Sequence, residues 1–377
     1  MIEPTAARLE RELKHTRALI GCRFDPSGRF LFASAEDDSI QRFDLLTGTK
    51  TTFTGHQSWV RGMTFVGGAG VGSGELDAWE NRRLAMQAVL GFAVATLPPP
   101  KPTPFVLVSG DYHGKLIWWQ GDATEPKPIR TVEAHKGFVR SLAISPDGKT
   151  IASCGNDNAV KLWKAEDGTA IRTLEGHASH VYNGAFHPDG TRFASCDLKG
   201  IVKDWNLKTN ISDRDLDAKA LWKYDTGFMA DIGGARAMEF STDGSKLACA
   251  GITNVSNAFA GVGNPGVVLF DWKDGKPKLL KTKDAFQGTA WGVAFHPSGF
   301  VMAAGGGNGG GRVWFWKGDD LASFHTLNVP ANARDLALSP GGERFACAGA
   351  NGSLYVYTFT PAPVAAVVPV PPTPPKK

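Results

Sequence analysis

The chain has 377 residues, 42% of them apolar, and 41 basic against 37 acidic residues leave a net charge of +4. That content suffices for a packed core, and with no dense Lys/Arg run the mild charge argues against nucleic-acid or anionic-membrane binding. The start, MIEPTAARLERELKH, has no apolar signal core, and the longest apolar run, 84–97, is too short to span a bilayer.

In chain order, residues 1–9 read as an N-terminal extension that runs into RLEREL, which has helix propensity but is read as a strand. A first unit follows, with a turn glycine at Gly28 and an aromatic strand residue at Phe43. The second unit carries an anomaly. Phe65 to Ser109 takes 44 residues where Ile144 to Ser153 takes 9. The extra segment, about 68–104, is flanked by Gly and Pro runs, with a possible short helix over 79–92; it is read as a surface flap or disordered.

The third unit, from His135 to His177, is the clearest. VRSLAIS, TIASCG, AVKLWK and AIRTLEG are short strands separated by the turns SPDG, NDN and EDG. Proline presets φ in such turns and glycine accepts positive φ. Four short strands with period-two patterning give one antiparallel meander. One such sheet cannot bury both faces alone, so neighbours are implied.

The neighbours recur in register. Turn glycines fall at Gly28, Gly148, Gly190, Gly244, Gly299 and Gly342, the last five spaced by 42, 54, 55 and 43 residues. The third-strand aromatic recurs as Phe43, Trp119, Trp163, Trp205, Phe270, Trp316 and Tyr357, which makes seven units. With G-H near one end and W-D near the other, the chain resembles the WD40-repeat family over residues 10–360. The resemblance implies an all-β fold: a seven-bladed propeller of four-stranded blades, with the N-terminal segment supplying the outer strand of the last. Leu13 sits one place off the register of Leu174 relative to the following histidine.

The resemblance also implies a buried tetrad, which in unit three is His135, Ser153, Asp157 and Trp163. A His–Ser–Asp set is reminiscent of a hydrolase triad, but here it is read as a structural clamp. The histidine register continues as Asp231, Phe286 and Val329, and the Asp register reads His113 and Lys199 in units two and four. On that count only unit three is complete.

Three insertions stand out beyond unit four: DAKALWKYDTGFMADIGG in the connection before unit five, GITNVSNAFAGVGN between the second and third strands of unit five, and GGGNGGG in unit six. In a four-stranded meander these connections emerge on one face, so all three are expected over the junction of blades four to six. They carry Trp222, Tyr224, Phe228 and Phe259 beside Asp231, Asn254 and Asn257. Trp59, Phe138 and His180 are expected on the same face. Aromatics within a polar rim suit a desolvated anchor for a partner, and an aromatic mini-core among folded-back loops is the competing reading.

Two G-x-G-x-x-G matches, at 261–266 and 305–310, open no helix and are discounted as dinucleotide sites. The histidines lack metal-ligand spacing, so no metal, cofactor or catalytic residue is assigned. The five cysteines fall on repeated strand positions and read as small buried hydrophobes in a reducing, cytoplasmic setting. Residues 361–377 are Pro-rich and read as a disordered spacer. The function expected is a monomeric, non-catalytic protein-interaction scaffold; a small-molecule sensor using the pocket framed by the same loops is the alternative, and a propeller enzyme ranks last.

Overall fold

The computed structural model describes residues 2–68, 101–257, 262–318 and 320–359. Nearly all of the 68–104 insertion, Phe259 and the 361–377 tail lie outside them. Among the described residues the chain forms seven four-stranded antiparallel sheets arranged as a ring. Among the described residues helix is limited to two short 3-10 turns, Pro4–Ala6 and Lys219–Leu221, and none is long and apolar enough to cross a membrane.

Each blade runs from an inner strand a outwards to strand d. The seven inner strands are Leu19–Phe24, Val60–Gly67, Val139–Ile144, Val181–Phe186, Ala237–Phe240, Gly288–Phe295 and Ala333–Leu338. Strands b and c are nearly continuous buried stretches, because blades stack on both of their faces. Phe30–Ala35, for instance, is buried at every position. All six turn glycines adopt positive φ, between 71° and 89°, a region that costs L side chains strain. The third-strand aromatics lie on strand c of their blades and are at most 5% exposed. Neighbouring blades share apolar clusters, such as Phe32, Phe53, Phe105 and Trp119 between blades one and two.

The ring closes through the N-terminal segment. Arg8–Lys14 pairs antiparallel with Ser353–Thr358, placing Leu9 opposite Tyr357 and Leu13 opposite Leu354. Leu174 faces Val160 in the same way, so the one-residue offset of Leu13 lies in the connection to His15 and not in the strand. Ser353 Oγ donates to Glu12 Oε1 at 2.7 Å across the closure.

The insertions beyond blade four are more ordered than loops. Strands b and c of blade five, Lys246–Asn257 and Val262–Asp271, extend the ladder as far as Asn257 opposite Val262. The glycine run of blade six does likewise, to Gly307 opposite Gly310. The expectation of free loops fails here because small and β-branched residues keep the two chains within hydrogen-bonding reach. The segment before blade five forms the Lys219–Leu221 turn and a hairpin, Trp222–Asp225 with Ala230–Gly233.

Candidate functional site

The tetrads come first, since they resemble a catalytic triad. His135 Nδ1 lies 2.7 Å from Asp157 and Nε2 2.7 Å from Ser153 Oγ, which accepts the Trp163 indole N–H at 2.8 Å. The Ser153 hydroxyl is thus engaged by two side chains in a site with no exposure at the His135 ring. That is a clamp between strands. Blades two and four carry the same clamp, contrary to the expectation that unit three alone is complete. His56 bridges Asp111 (2.8 Å) and Ser109 (2.7 Å), and His177 bridges Asp197 (3.1 Å) and Ser195 (2.7 Å). Trp119 and Trp205 complete them.

The carboxylates are two residues past the serine in those blades and four past it in blade three. Gly155 explains the difference: a Cβ there would sit 2.2 Å from His135 Nδ1. The acid therefore approaches from the turn. Burial alone would raise the carboxyls of Asp111 and Asp157, but the hydrogen bonds and charge of their histidines outweigh it and hold both below the usual range.

The hairpin before blade five is the second feature. Trp222 Nε1 donates to Asp231 Oδ1 at 2.9 Å, and Lys199 lies 3.7 Å from the other carboxylate oxygen. Lys223 Nζ donates to the Val255 carbonyl at 2.7 Å, tying the hairpin to the extended ladder of blade five. Leu221, fully buried, roots its base in the core between blades four and five. At the tip, Asp225 Oδ1 accepts the backbone N–H groups of Gly227 and Phe228. Tyr224, Phe228 and Met229 there are 47%, 57% and 80% exposed. Asn254, at a φ of 50°, and Asn257 stand exposed on the adjoining ladder.

The remaining candidates, Trp59, Phe138 and His180, each directly precede the inner strand of their blade. Trp59 and Phe138 flank Tyr112, which sequence reading passed over: Phe138 stacks on it at 4.1 Å and 5°, and Trp59 lies 6.2 Å away. His180 Nδ1 meets Asn158 at 3.2 Å. Trp59, Tyr112, Trp291 and Arg334 border a cavity of about 460 Å³, which among the described residues meets the blade-five and blade-six extensions at Val262 and 306–308.

Sequence reading also missed the channel lining. In six blades the register shifts around the second residue of the inner strand, or the fourth in blade six, for example between Val60 and Gly62 and between Val139 and Ser141. The bulged residues are Ile20, Arg61, Arg140, Tyr182, Trp291 and Arg334, and Arg236 holds the matching place in blade five. A signal was present: a buried aliphatic residue precedes a large one at each site, as in Val60-Arg61, Val139-Arg140, Ala235-Arg236 and Ala333-Arg334. Among the described residues no group of His, Cys, Asp or Glu could hold a metal ion.

Comparison with known proteins agrees with the geometry. Residues 126–164 and 168–205 match the family model "WD domain, G-beta repeat". Each matched segment takes strand d of one blade with strands a to c of the next. Among curated proteins the chain is similar to DDB1- and CUL4-associated factor 13 of Dictyostelium discoideum, 42% identical over 60 residues, which are 16% of this chain and 13% of that protein. It is also similar to protein HIR1 of Mycosarcoma maydis, 29% identical over 157 residues, 41% of this chain and 13% of that one. A third is the Target of rapamycin complex subunit wat1 of Schizosaccharomyces pombe, 25% identical over 175 residues, 41% and 52% of the two chains. The chain thus matches from about an eighth to about half of these relatives' lengths.

Proposed function

We propose that this chain, a WD40-repeat propeller of seven blades, is a non-catalytic platform that docks a protein partner over blades four and five. The observation that carries the reading is the hairpin tip, where Tyr224, Phe228 and Met229 present apolar surface to solvent on a rigid mount. A prearranged apolar knob loses little conformational freedom when a partner covers it. Asp231, Asn254 and Asn257 supply the polar surroundings of such an anchor. Similarity to a subunit of a named complex supports protein partners in general. Five free, buried cysteines support a reducing, cytoplasmic setting, and the platform is proposed to act as a monomer.

The test is a pull-down from source-cell lysate with wild-type bait and a Tyr224→Ser, Phe228→Ser, Met229→Ser variant, both checked by melting curves. Loss of a specific partner by the folded variant supports the reading. Recovery of the same partners by both baits removes the hairpin as the docking site.

A further inference from the structure

We propose that the central channel holds a binding site for a phosphate-class oxyanion, gripped by Arg61, Arg140 and Arg236. Three guanidinium groups are strung along the channel with aromatic rings between them. Arg140 and Arg236 lie over the Tyr182 ring at 4.4 and 4.9 Å, and Arg236 and Arg61 over the Trp291 ring at 5.1 and 5.8 Å. All three border one cavity of about 660 Å³ that follows the inner strands. A cavity of that size admits a phosphate group together with the group bearing it.

The opposing charge is insufficient. Asp335 is taken by Arg23, at 2.8 Å, and by the Cys22 amide. Glu36, at the other cavity, is taken by Arg334. Among the described residues Glu239 is the remaining acid at this cavity, and burial pushes its carboxyl up to about 7, so at neutral pH it supplies only part of a charge. Burial, joined by the charges of Arg140 and Arg61, pulls the Arg236 guanidinium below its usual value. Like charges confined this way are stabilised by a bound anion.

A second observation points to the same ligand. Arg236 Nε is shielded from solvent and has no hydrogen-bond partner among the described residues, which costs desolvation energy. Arg140 is already aimed by its Nε–H bond to Asn156 Oδ1 at 2.7 Å, and among the described residues its two terminal nitrogens remain for a ligand. Planar guanidinium groups meet phosphate through paired, charge-assisted hydrogen bonds. This site uses none of the hairpin residues and stands or falls independently of the docking proposal.

The experiment titrates the full chain with inorganic phosphate against chloride at constant ionic strength and pH, followed by calorimetry and 31P line broadening. Saturable binding is expected, weakened by at least about tenfold in Arg236→Gln and Arg140→Gln and weakened less in Arg236→Lys, which keeps the charge but not the planar pair of donors. Melting curves establish that each variant is folded; should Arg236→Gln not fold, Arg61→Gln and Arg140→Gln carry the test. A phosphoserine peptide that binds more tightly than inorganic phosphate assigns a protein-borne phosphate, and equal affinity assigns a free anion. Absence of saturable binding, or equal binding by wild type and the folded glutamine variants, overturns the site.

Discussion

Arg344 Nε donates to Glu10 Oε2 at 2.8 Å, joining the last blade to a strand 334 positions away in sequence. Further along the same strand, Leu13 packs on the cluster of Leu354, Val356 and Leu31. Removing residues 2–14 takes the outer strand from blade seven and bares the edge of Ser353–Thr358. Unpaired edges invite association. The truncated chain is expected to melt at least about 10 °C lower and to self-associate, as read by calorimetry and light scattering. Leu13→Ala, which is partly buried, is expected to cost about 2 kcal/mol.

Trp205→Phe keeps the ring in the blade and deletes the indole N–H that reaches Ser195 Oγ at 2.7 Å. An expected loss of about 1–2 kcal/mol in urea unfolding follows from one broken buried hydrogen bond. His177→Ala leaves both Ser195 and Asp197 without their imidazole, and about 2–4 kcal/mol is expected. If these sets were catalytic, partner binding would be irrelevant to them and hydrolysis would vanish; as clamps they alter stability alone.

The pH dependence has two opposite limbs. The carboxyls of Asp111 and Asp157 titrate below their unfolded value in the fold, so their stabilisation is present above about pH 4 and is lost as pH falls through the folded values. Glu239 has the opposite sign. Its folded value, about 7, lies above the ordinary 4.5, so the native state holds the proton more tightly and stability declines as pH rises between those values. Glu239→Gln, whose amide oxygen can still accept the Phe295 N–H, is expected to flatten that decline. Melting temperatures of wild type and variant at pH 4 and pH 8 check it: the variant gains at pH 8 only.

Tyr224→Ser and Met229→Ser, on the exposed tip, are expected to change unfolding free energy by no more than about 0.5 kcal/mol each. Asp231→Ala removes the acceptor of the Trp222 indole and the partner of Lys199, and a loss of about 1–2 kcal/mol is expected. Chemical denaturation separates the two classes.

How much was legible in the sequence depends on whether a feature repeats. Gly28 and its counterparts recur because six of the seven blades make the same turn, and the aromatics from Phe43 to Tyr357 because every blade needs the same inter-blade filler. The count of seven blades follows from them, and the closure from what the resemblance to WD40 repeats implies. The clamps of blades two and four were misread because Asp111 and Asp197 sit at the strand end and reach the histidine from there, a choice Gly155 forecloses in blade three. The channel arginines were passed over for another reason. Alternation assigns Arg61 and Arg140 to a face of a regular strand, whereas a one-residue bulge turns them toward the axis. Bulges depend on pairing, which a linear pattern does not carry. Likewise the long insertion of blade five reads as a loop until Asn257 is found opposite Val262.

The closing strand has a consequence for the order of assembly. Arg8–Lys14 leaves the ribosome long before Ser353–Thr358 exists, so it must wait, unpaired, while the intervening blades form. Closing so long a loop is entropically slow, and pairing between such distant segments comes late. The nascent protein is therefore an open fan with two raw ends until synthesis reaches blade seven. Whatever shields those ends in the interval decides whether the chain completes its own circle or borrows a strand from another copy.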